Sequence, residues 1–300
     1  MEEWLTDKRI GTQTGILLIL LLVVLDFIAI AVMSSQPIGP LTFFLSLWIA
    51  LSLPLIGLVA YQVYGISRSG YALDRNTLTI VWGPIRQVVP TEAIQRIMLG
   101  TEVEGGVRRF RGWRWPGLMH GQGEVAEAGL TLFYASNSLQ NQLIVVTPTL
   151  SYAISPADVP GFIESIKARY ELGPTQAVEQ TTQRPAFFDW ELWRDRLAYV
   201  FAAAGFAMLA LLFALICFRF PDLPPRVTLH FNAAGLADRS GPASDVFILP
   251  LIGVMALTVN TGLGLLVYQR ERMAAYVLWG GALLVQLLLW VGAWNVLRLA

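Results

Sequence analysis

A run of four arginines interleaved with aromatic rings, VRRFRGWRWPGL at residues 107–118, is the part of the sequence best suited to binding chemistry. A guanidinium offers a planar fork of donors to phosphate oxygens, and a tryptophan ring favours the interface between membrane and water. Each basic residue near an anionic leaflet contributes about 1 kcal/mol of attraction. One interpretation is therefore a loop that contacts anionic lipid headgroups. The candidate lipid-binding or partner-binding residues are Arg108, Arg109, Arg111, Trp113, Arg114 and Trp115.

Two other interpretations of this run stay open. In one, the tryptophans and Pro116 are core and turn residues, while the arginines pair with acids such as Glu102 and Glu104. In the other, the run meets the acidic face of a protein partner, which includes a second copy of the chain. Nucleic-acid binding is not expected, because the formal net charge is +0 and the surrounding polar region has as many acids as bases.

A second polar constellation lies at His230, Asn232 and Asp238. The first two are two residues apart and share a face of an extended segment, and Gly235 permits a turn that brings Asp238 back towards them. Such a trio either holds a cation or polar ligand, or hydrogen-bonds within itself and to the backbone as a hairpin-like cap. Both possibilities stay open at this point.

Three further polar residues fall within apolar segments: Asp26, Asn260 and Gln286. A carboxylate in hydrocarbon requires a partner or a proton. Because the three fall at comparable depth in the predicted spans, we expect them to form one buried polar cluster. This cluster either holds helices together through hydrogen bonds or lies on a path for protons or ions.

Catalytic residues are not predicted. The two histidines, His120 and His230, fall on opposite sides of the membrane in the predicted topology, and the single cysteine, Cys217, ends a span. The chain has no glycine-rich phosphate loop, no Ser-His-Asp order and no helical metal motif. We expect no enzyme, no metal site and no cofactor.

The elements that must position these residues are mostly membrane helices. Hydrophobic residues make up 55% of the 300 residues and charged residues only 14%, a composition too apolar for an ordinary soluble enzyme. Apolar windows long enough to cross about 30 Å of hydrocarbon occur five times, and Asp26 in the first is the only charged residue within them. They are Ile16–Met33, Leu41–Tyr64, Leu197–Phe218, Val246–Tyr268 and Met273–Leu297.

The flanking charges predict the orientation. With a cytoplasmic N-terminus, the inner flanks hold eight basic residues and the outer flanks four, in accord with the positive-inside rule. We therefore expect a protein of the bacterial cytoplasmic membrane with the N-terminus and the large polar domain inside and the C-terminus outside. The predicted divisions are an anchor at 1–64, the domain at 65–175, a linker approaching the membrane at 176–196, and a three-helix region at 197–300 with a polar loop at 219–245.

The large polar domain has a strand-rich pattern followed by one helix. Alternating apolar residues surround the turn signal at Gly83-Pro84, and further strands are predicted at Ile94–Leu99, Leu130–Tyr134, Gln142–Thr147 and Ser151–Ile154. The closing helix is predicted to be capped by Ser155, with Pro156 in its first position and Gly173 as its stop. Its apolar stripe comprises Phe162, Ile163, Ile166 and Tyr170.

The segments YALDRNTLTIVWGPIRQVVPTEAIQRI, GWRWPGL and YAISPADVPGFIESI together resemble the bacterial PH domain family, in which two membrane helices often precede the domain. The resemblance covers residues 65–172. It implies an α+β membrane protein whose PH-like domain is an antiparallel barrel or sandwich of about seven strands capped by a C-terminal helix. It also implies a binding or assembly module rather than a catalyst.

The segment from Leu223-Pro224 through His230-Phe231-Asn232 to Asp238 resembles the small domain of unknown function found in the bacterial Sdp immunity family. The chain departs from that pattern at Ser240-Gly241-Pro242, where an aromatic residue and a lysine are common. This resemblance supports an alternative function, an immunity, signalling or transport-like protein in which the helix bundle and outer loop act. The principal prediction is a non-enzymatic membrane protein whose cytoplasmic domain binds anionic lipid, a peptide or a protein partner.

Overall fold

The computed structural model describes residues 2–231 and 237–299. Within this range the chain forms two compact units. One comprises the residues up to 24 together with 53–186, and the other comprises 25–52 together with the chain from 187 onward. The first two long helices therefore contribute to both units.

Five helices in the described part of the chain are long and apolar enough to cross a membrane. At most 22% of the most apolar window of any of them is buried inside the protein, so hydrocarbon is needed to cover the rest. The predicted spans lie inside these helices or within two residues of them, which confirms their number and place. In chain order the helices are α1 (Arg9–Ser35), α2 (Pro40–Ser67), the shorter α3 (Val159–Leu172), α4 (Arg196–Arg219), α5 (Ile248–Tyr268) and α6 (Arg272–Leu299).

The first unit contains two β-sheets. The five-stranded sheet has the order β1-β2-β3-β4-β11 and the six-stranded sheet the order β5-β9-β10-β8-β7-β6. The strands are β1 (Glu2–Trp4), β2 (Gly70–Leu73), β3 (Thr77–Trp82), β4 (Ile85–Pro90), β5 (Arg96–Leu99), β6 (Val107–Trp115), β7 (Leu118–Val125), β8 (Gly129–Ala135), β9 (Leu143–Val146), β10 (Ser151–Ile154) and β11 (Thr181–Gln183).

The two sheets form an open sandwich, and the described strands do not close into a barrel. Neighbouring strands are antiparallel except β8 and β10, which pair in parallel from Thr131↔Ser151 to Tyr134↔Ile154. The α+β fold with antiparallel sheets that the family resemblance implies is confirmed, and the parallel β8–β10 pair is an exception within it. Short segments outside the domain complete the five-stranded sheet, since β1 pairs with β2 and β11 pairs with β4.

The sequence predicts a loop at 107–118, and this prediction is wrong. The run forms strand β6 and the turn into β7. Its alternation of arginine and aromatic residues has the period of a half-exposed strand. The rings are half-buried and the arginines are exposed. The charge density of the run concealed this period, which accounts for the missing hairpin in the predicted strand order.

A continuous apolar core fills the space between the sheets, with Trp82, Tyr152 and Phe162 fully buried. Helix α3 packs against this core through the predicted stripe, of which Phe162 and Ile166 are buried. Its cap is Asp158, whose Oδ1 accepts from the backbone N–H of Gly161 at 3.1 Å, rather than the predicted Ser155. The Ser155 hydroxyl instead accepts from the N–H of Ser136 inside the domain.

The second unit is built mainly from α4, α5 and α6, which pack around buried side chains such as Leu212, Ile216 and Ala293. Between α4 and α5 the chain forms an antiparallel hairpin of β12 (Arg226–Phe231) and β13 (Ala237–Pro242). The polar loop between α4 and α5 is therefore organised as a strand pair at its base.

Candidate functional site

Strand β6 carries the predicted binding residues and forms one edge of the six-stranded sheet. It pairs with β7 from Val107↔Val125 to Trp115↔Leu118. Trp113 and Trp115 pack against the core between the sheets, whereas the four arginines of the strand are exposed. The rings therefore fix the strand, and the guanidiniums face outward.

Acidic partners for these arginines are scarce. Arg109 Nη1 lies 3.4 Å from Glu124 Oε1, but the two side chains are 81% and 50% exposed, and such a pair contributes at most about 1 kcal/mol. Glu102, an expected partner, instead accepts from a backbone N–H. Among the residues that the structure describes, the arginines of β6 without an ion pair are Arg108, Arg111 and Arg114.

A β-bulge bends the strand in the middle of the arginine run. The register shifts between Arg108 and Arg111, and Arg109 adopts a left-handed φ of 48°, which is unfavourable for a residue with a Cβ. Phe110 then packs on Phe133 with ring centroids 5.6 Å apart. Bulges change the direction in which side chains point, and this one lies between Arg108 and Arg111.

The C-terminal end of β6 contacts the start of the first membrane helix. Trp115 Nε1 donates to the carbonyl oxygen of Gly11 at 3.1 Å. Gly117, in the β6–β7 turn with φ +82°, lies so close to Gly11 that a Cβ on either residue would overlap the backbone of the other. The first turn of α1 and the end of β6 are thus in direct backbone contact.

The end of the second membrane helix contacts the same hairpin. His120 Nδ1 of β7 donates to Gln62 Oε1 of α2 across 2.7 Å, and the imidazole stacks on Trp82 with centroids 4.7 Å apart. Gln62 is buried, with 4% exposure. Burial lowers the pKa of His120 to about 4, so the ring is neutral at physiological pH and holds the helix by a neutral hydrogen bond.

Basic residues surround the base of the α1–α2 hairpin. Arg9 is the first residue of α1, and Arg68 directly follows α2; both are exposed. Lys8 Nζ donates to the carbonyl oxygen of Ser67 at 3.2 Å. These three residues, Lys8, Arg9 and Arg68, form what we call the basic collar. Arg114 of β6 is next in sequence to Trp115, which contacts Gly11.

The predicted outer trio is only partly within the described structure. His230 lies on β12 and pairs in register with Arg239 of β13, next to Asp238. The register is irregular there, with shifts on both sides of His230. Asn232 lies outside the described residues. The strand pair brings His230 and Asp238 to the same end of one hairpin.

The three intramembrane polar residues have separate partners. Ser52 Oγ lies 2.8 Å from both carboxyl oxygens of Asp26, which joins α1 to α2. Asn260 Nδ2 donates to the carbonyl oxygen of Ala256 in its own helix, and Gln286 Nε2 donates to that of Gly253 across the α5–α6 contact. No described hydrogen bond joins two of the three, so the predicted single cluster divides into three local contacts.

One polar cluster, around Asp195, is not predicted from the sequence. Asp195 caps α4, and its Oδ2 accepts from the hydroxyls of Tyr268, at 2.7 Å, and Tyr276. Burial raises the pKa of Asp195, but these two hydroxyls and two backbone N–H groups outweigh it and leave the pKa below its ordinary value. An acid before an apolar span indicates a helix cap, but no sequence signal connects it to tyrosines more than seventy residues later.

Comparisons with known proteins agree with both resemblances. Residues 69–170 match the family model of the bacterial PH domain, and residues 207–254 match the model of a domain of unknown function, DUF1648. The second match extends beyond the polar loop into α4 and α5. No curated protein and no solved structure matches the chain. Residues 69–170 are therefore a bacterial PH domain, carried by an integral membrane chain that also contains a DUF1648 segment.

Proposed function

We propose that this protein is a non-enzymatic, membrane-anchored binding module whose PH domain uses the arginines of β6 to hold anionic lipid headgroups. The observation that carries the proposal is the contact between the end of β6 and the first turn of α1, through Trp115 and Gly11. A membrane helix begins near the headgroup region. The end of β6 therefore sits at that level.

The chemistry of β6 agrees with this position. Arg108, Arg111 and Arg114 have no described acidic partner, and a guanidinium without a partner gains most from a phosphate that it contacts in two places. The basic collar adds further positive charge around the same helix ends. With about 1 kcal/mol per basic residue near an anionic leaflet, the domain would be held against the bilayer by several kcal/mol.

The excess of basic residues in the flanks supports a cytoplasmic location for the N-terminus and the PH domain, with the end of α6 outside. A membrane-impermeant maleimide would test this orientation in whole spheroplasts and in inverted vesicles. An Arg109→Cys variant should be labelled only in inverted vesicles, because there the cytoplasmic face is accessible to the reagent. The native Cys217 is buried and should not react. Labelling of this variant in intact spheroplasts would refute the orientation.

Hydrogen–deuterium exchange of the full chain in nanodiscs would test lipid binding. Nanodiscs of phosphatidylcholine alone and with phosphatidylglycerol added should differ in the exchange of residues 107–115. We expect slower exchange with the anionic lipid and a loss of this protection at high salt. An Arg111→Gln, Arg114→Gln double variant should weaken the headgroup interaction by about thirtyfold, at about 1 kcal/mol for each lost charge.

A matched control removes the same charge elsewhere in the domain. Arg86 and Lys167 are exposed and have no described ion pair, so an Arg86→Gln, Lys167→Gln variant should keep wild-type protection. Equal loss in both variants would indicate general charge attraction and contradict a role for β6. Protection that depends on protein concentration rather than on phosphatidylglycerol would instead indicate a second copy as the partner.

A further inference from the structure

A crevice of about 200 Å³ lies at the carboxyl ends of α4 and α6, far along the chain from the PH domain. Its lining combines two guanidiniums with apolar side chains and contains no carboxylate: Leu215, Arg219, Trp294, Leu297 and Arg298. Two like charges converging on one small crevice repel each other unless an anion lies between them.

The two arginines hold equivalent positions. Arg219 is in the last turn of α4, and Arg298 is in the last turn of α6. Both are exposed, and neither has an ion pair with a described residue. The ends of two apolar spans meet the water interface at this point, so the guanidiniums lie at the depth of lipid phosphates.

The apolar part of the crevice lies one helical turn deeper. Leu215 precedes Arg219 by four residues, and Trp294 precedes Arg298 by four, so each apolar side chain is on the same helix face as its arginine. The Trp294 side chain is 59% exposed and belongs to a membrane span, which places its ring against lipid. The crevice is therefore cationic at its mouth and apolar below it.

We propose that this crevice binds one anionic phospholipid, with its phosphate between Arg219 and Arg298 and its glycerol and upper acyl chain against Trp294 and Leu215. A free phosphate ion would use only the two guanidiniums and gain nothing from the apolar floor. A lipid fits both parts of the crevice. Its phosphate lies at the membrane surface, as the guanidiniums do, and its acyl chain lies deeper, as the apolar side chains do. This site is separate from β6 and does not depend on the proposed function of the PH domain.

Native mass spectrometry of the full chain in mild detergent, titrated with phosphatidylglycerol, would test the site. Because the β6 arginines would also retain lipid, the titration is made in the Arg111→Gln, Arg114→Gln background as well as in the wild-type chain. We expect one lipid bound in that background. Arg219→Gln and Arg298→Gln, each added singly, should weaken its binding by about tenfold, the effect of losing one charge-assisted hydrogen bond.

Arg226→Gln is the matched control, since it removes one positive charge from the adjoining β12 strand without touching the crevice. It should leave the affinity unchanged. A photoactivatable phosphatidylglycerol should label peptides that contain Trp294, and this labelling should be lost in Arg298→Gln. Wild-type affinity in both crevice variants, an equal loss in Arg226→Gln, or full competition by millimolar inorganic phosphate would each overturn the proposal.

Discussion

The two compact units attach their membrane helices by different means. In the first, α1 and α2 meet a β-sandwich through glycine contacts and a neutral His120–Gln62 hydrogen bond. In the second, the ends of α4, α5 and α6 meet around one ionised carboxyl group, Asp195, with two tyrosine hydroxyls. The first arrangement combines close backbone packing with one neutral hydrogen bond, whereas hydrogen bonds to a charged group join the helix ends in the second.

The difference follows from what each contact replaces. A folded domain offers a fixed surface, so backbone can pack directly on backbone. Such close packing requires glycine at the contact, as at Gly11 and Gly117, because a Cβ would not fit. Helices in lipid gain little from burying apolar surface against each other, because the alternative environment is equally apolar. Polar side chains at helix ends therefore give the second unit its specificity, and steric fit gives it to the first.

The largest effect is expected from Gly11→Ala. The added Cβ would overlap the carbonyl oxygen of Gly117, which is backbone, and the side chain of Ile66, which is fully buried. We expect a destabilisation of about 3 kcal/mol, as for other overpacked sites. Increased hydrogen exchange of the β6–β7 hairpin in the purified full chain would measure it.

Gly57→Ala is the control for this substitution, since Gly57 lies in the same helical hairpin with nothing within 4 Å of an added Cβ. It should leave exchange in β6 and β7 unchanged. Equal effects of the two substitutions would show that steric fit does not hold the first unit together.

An intermediate effect is expected from pH acting on His120. Its pKa is about 4 in the folded chain against an ordinary 6.5, so between these values the unfolded chain binds a proton that the folded chain does not. The contribution of the neutral His120 imidazole to the free energy of unfolding is therefore fully present above pH 6.5. This contribution decreases as pH falls, by about 2 kcal/mol at pH 5. His120→Phe keeps a ring on Trp82 but removes this titration.

Thermal unfolding of both proteins in detergent at pH 7.5 and pH 5 would measure the effect. At pH 7.5 the variant should be less stable, because Gln62 loses its buried partner. At pH 5 the difference in melting temperature should shrink or reverse, because only the wild-type protein is destabilised by protonation of His120. Carboxyl groups titrate alike in both proteins and do not change the difference. A constant gap would show that the buried imidazole does not govern the acid sensitivity of the junction.

The smallest effect is expected from Asp195→Ala in the second unit. The substitution removes the cap of α4 and the shared acceptor of Tyr268 and Tyr276, which should lower the unfolding free energy by about 1 kcal/mol. Asp195→Asn keeps one acceptor oxygen, so its melting temperature should lie between those of the wild-type protein and Asp195→Ala. Asp222→Ala serves as the control, because Asp222 is exposed and lies three residues beyond the end of α4. An equal loss there would contradict a specific role for Asp195.

The candidate binding strand shows where inference from residues succeeds and where it fails. The arginines of 107–118 are exposed, which follows from their charge alone, and their role in binding stays a prediction. The same charge made the segment look like a loop, because the contribution of Phe110, Trp113 and Trp115 to a core is visible only when the opposite strands are known. The contacts of Trp115 with Gly11 and of His120 with Gln62 join residues 104 and 58 positions apart, a separation that no local pattern encodes.

The intramembrane residues give the same result at a smaller scale. Depth along each span follows from the sequence. Asp26 and Gln286 are buried, as their depth predicts, whereas Asn260 is only half-buried. The direction in which each side chain points around its helix depends on packing. For that reason Asp26 contacts Ser52 while Gln286 contacts Gly253, and the single predicted cluster does not form.

The sequence by itself determined the five spans, the strand-rich domain between the second and third of them, and its PH family. These features follow from the transfer of side chains between water and apolar surroundings and from local backbone preferences, both of which are read from neighbouring residues. Only the tertiary structure decided that β6 is an open edge touching the first turn of α1, and that Arg219 and Arg298 share a crevice. Such contacts join distant residues, and chain topology together with close packing selects them.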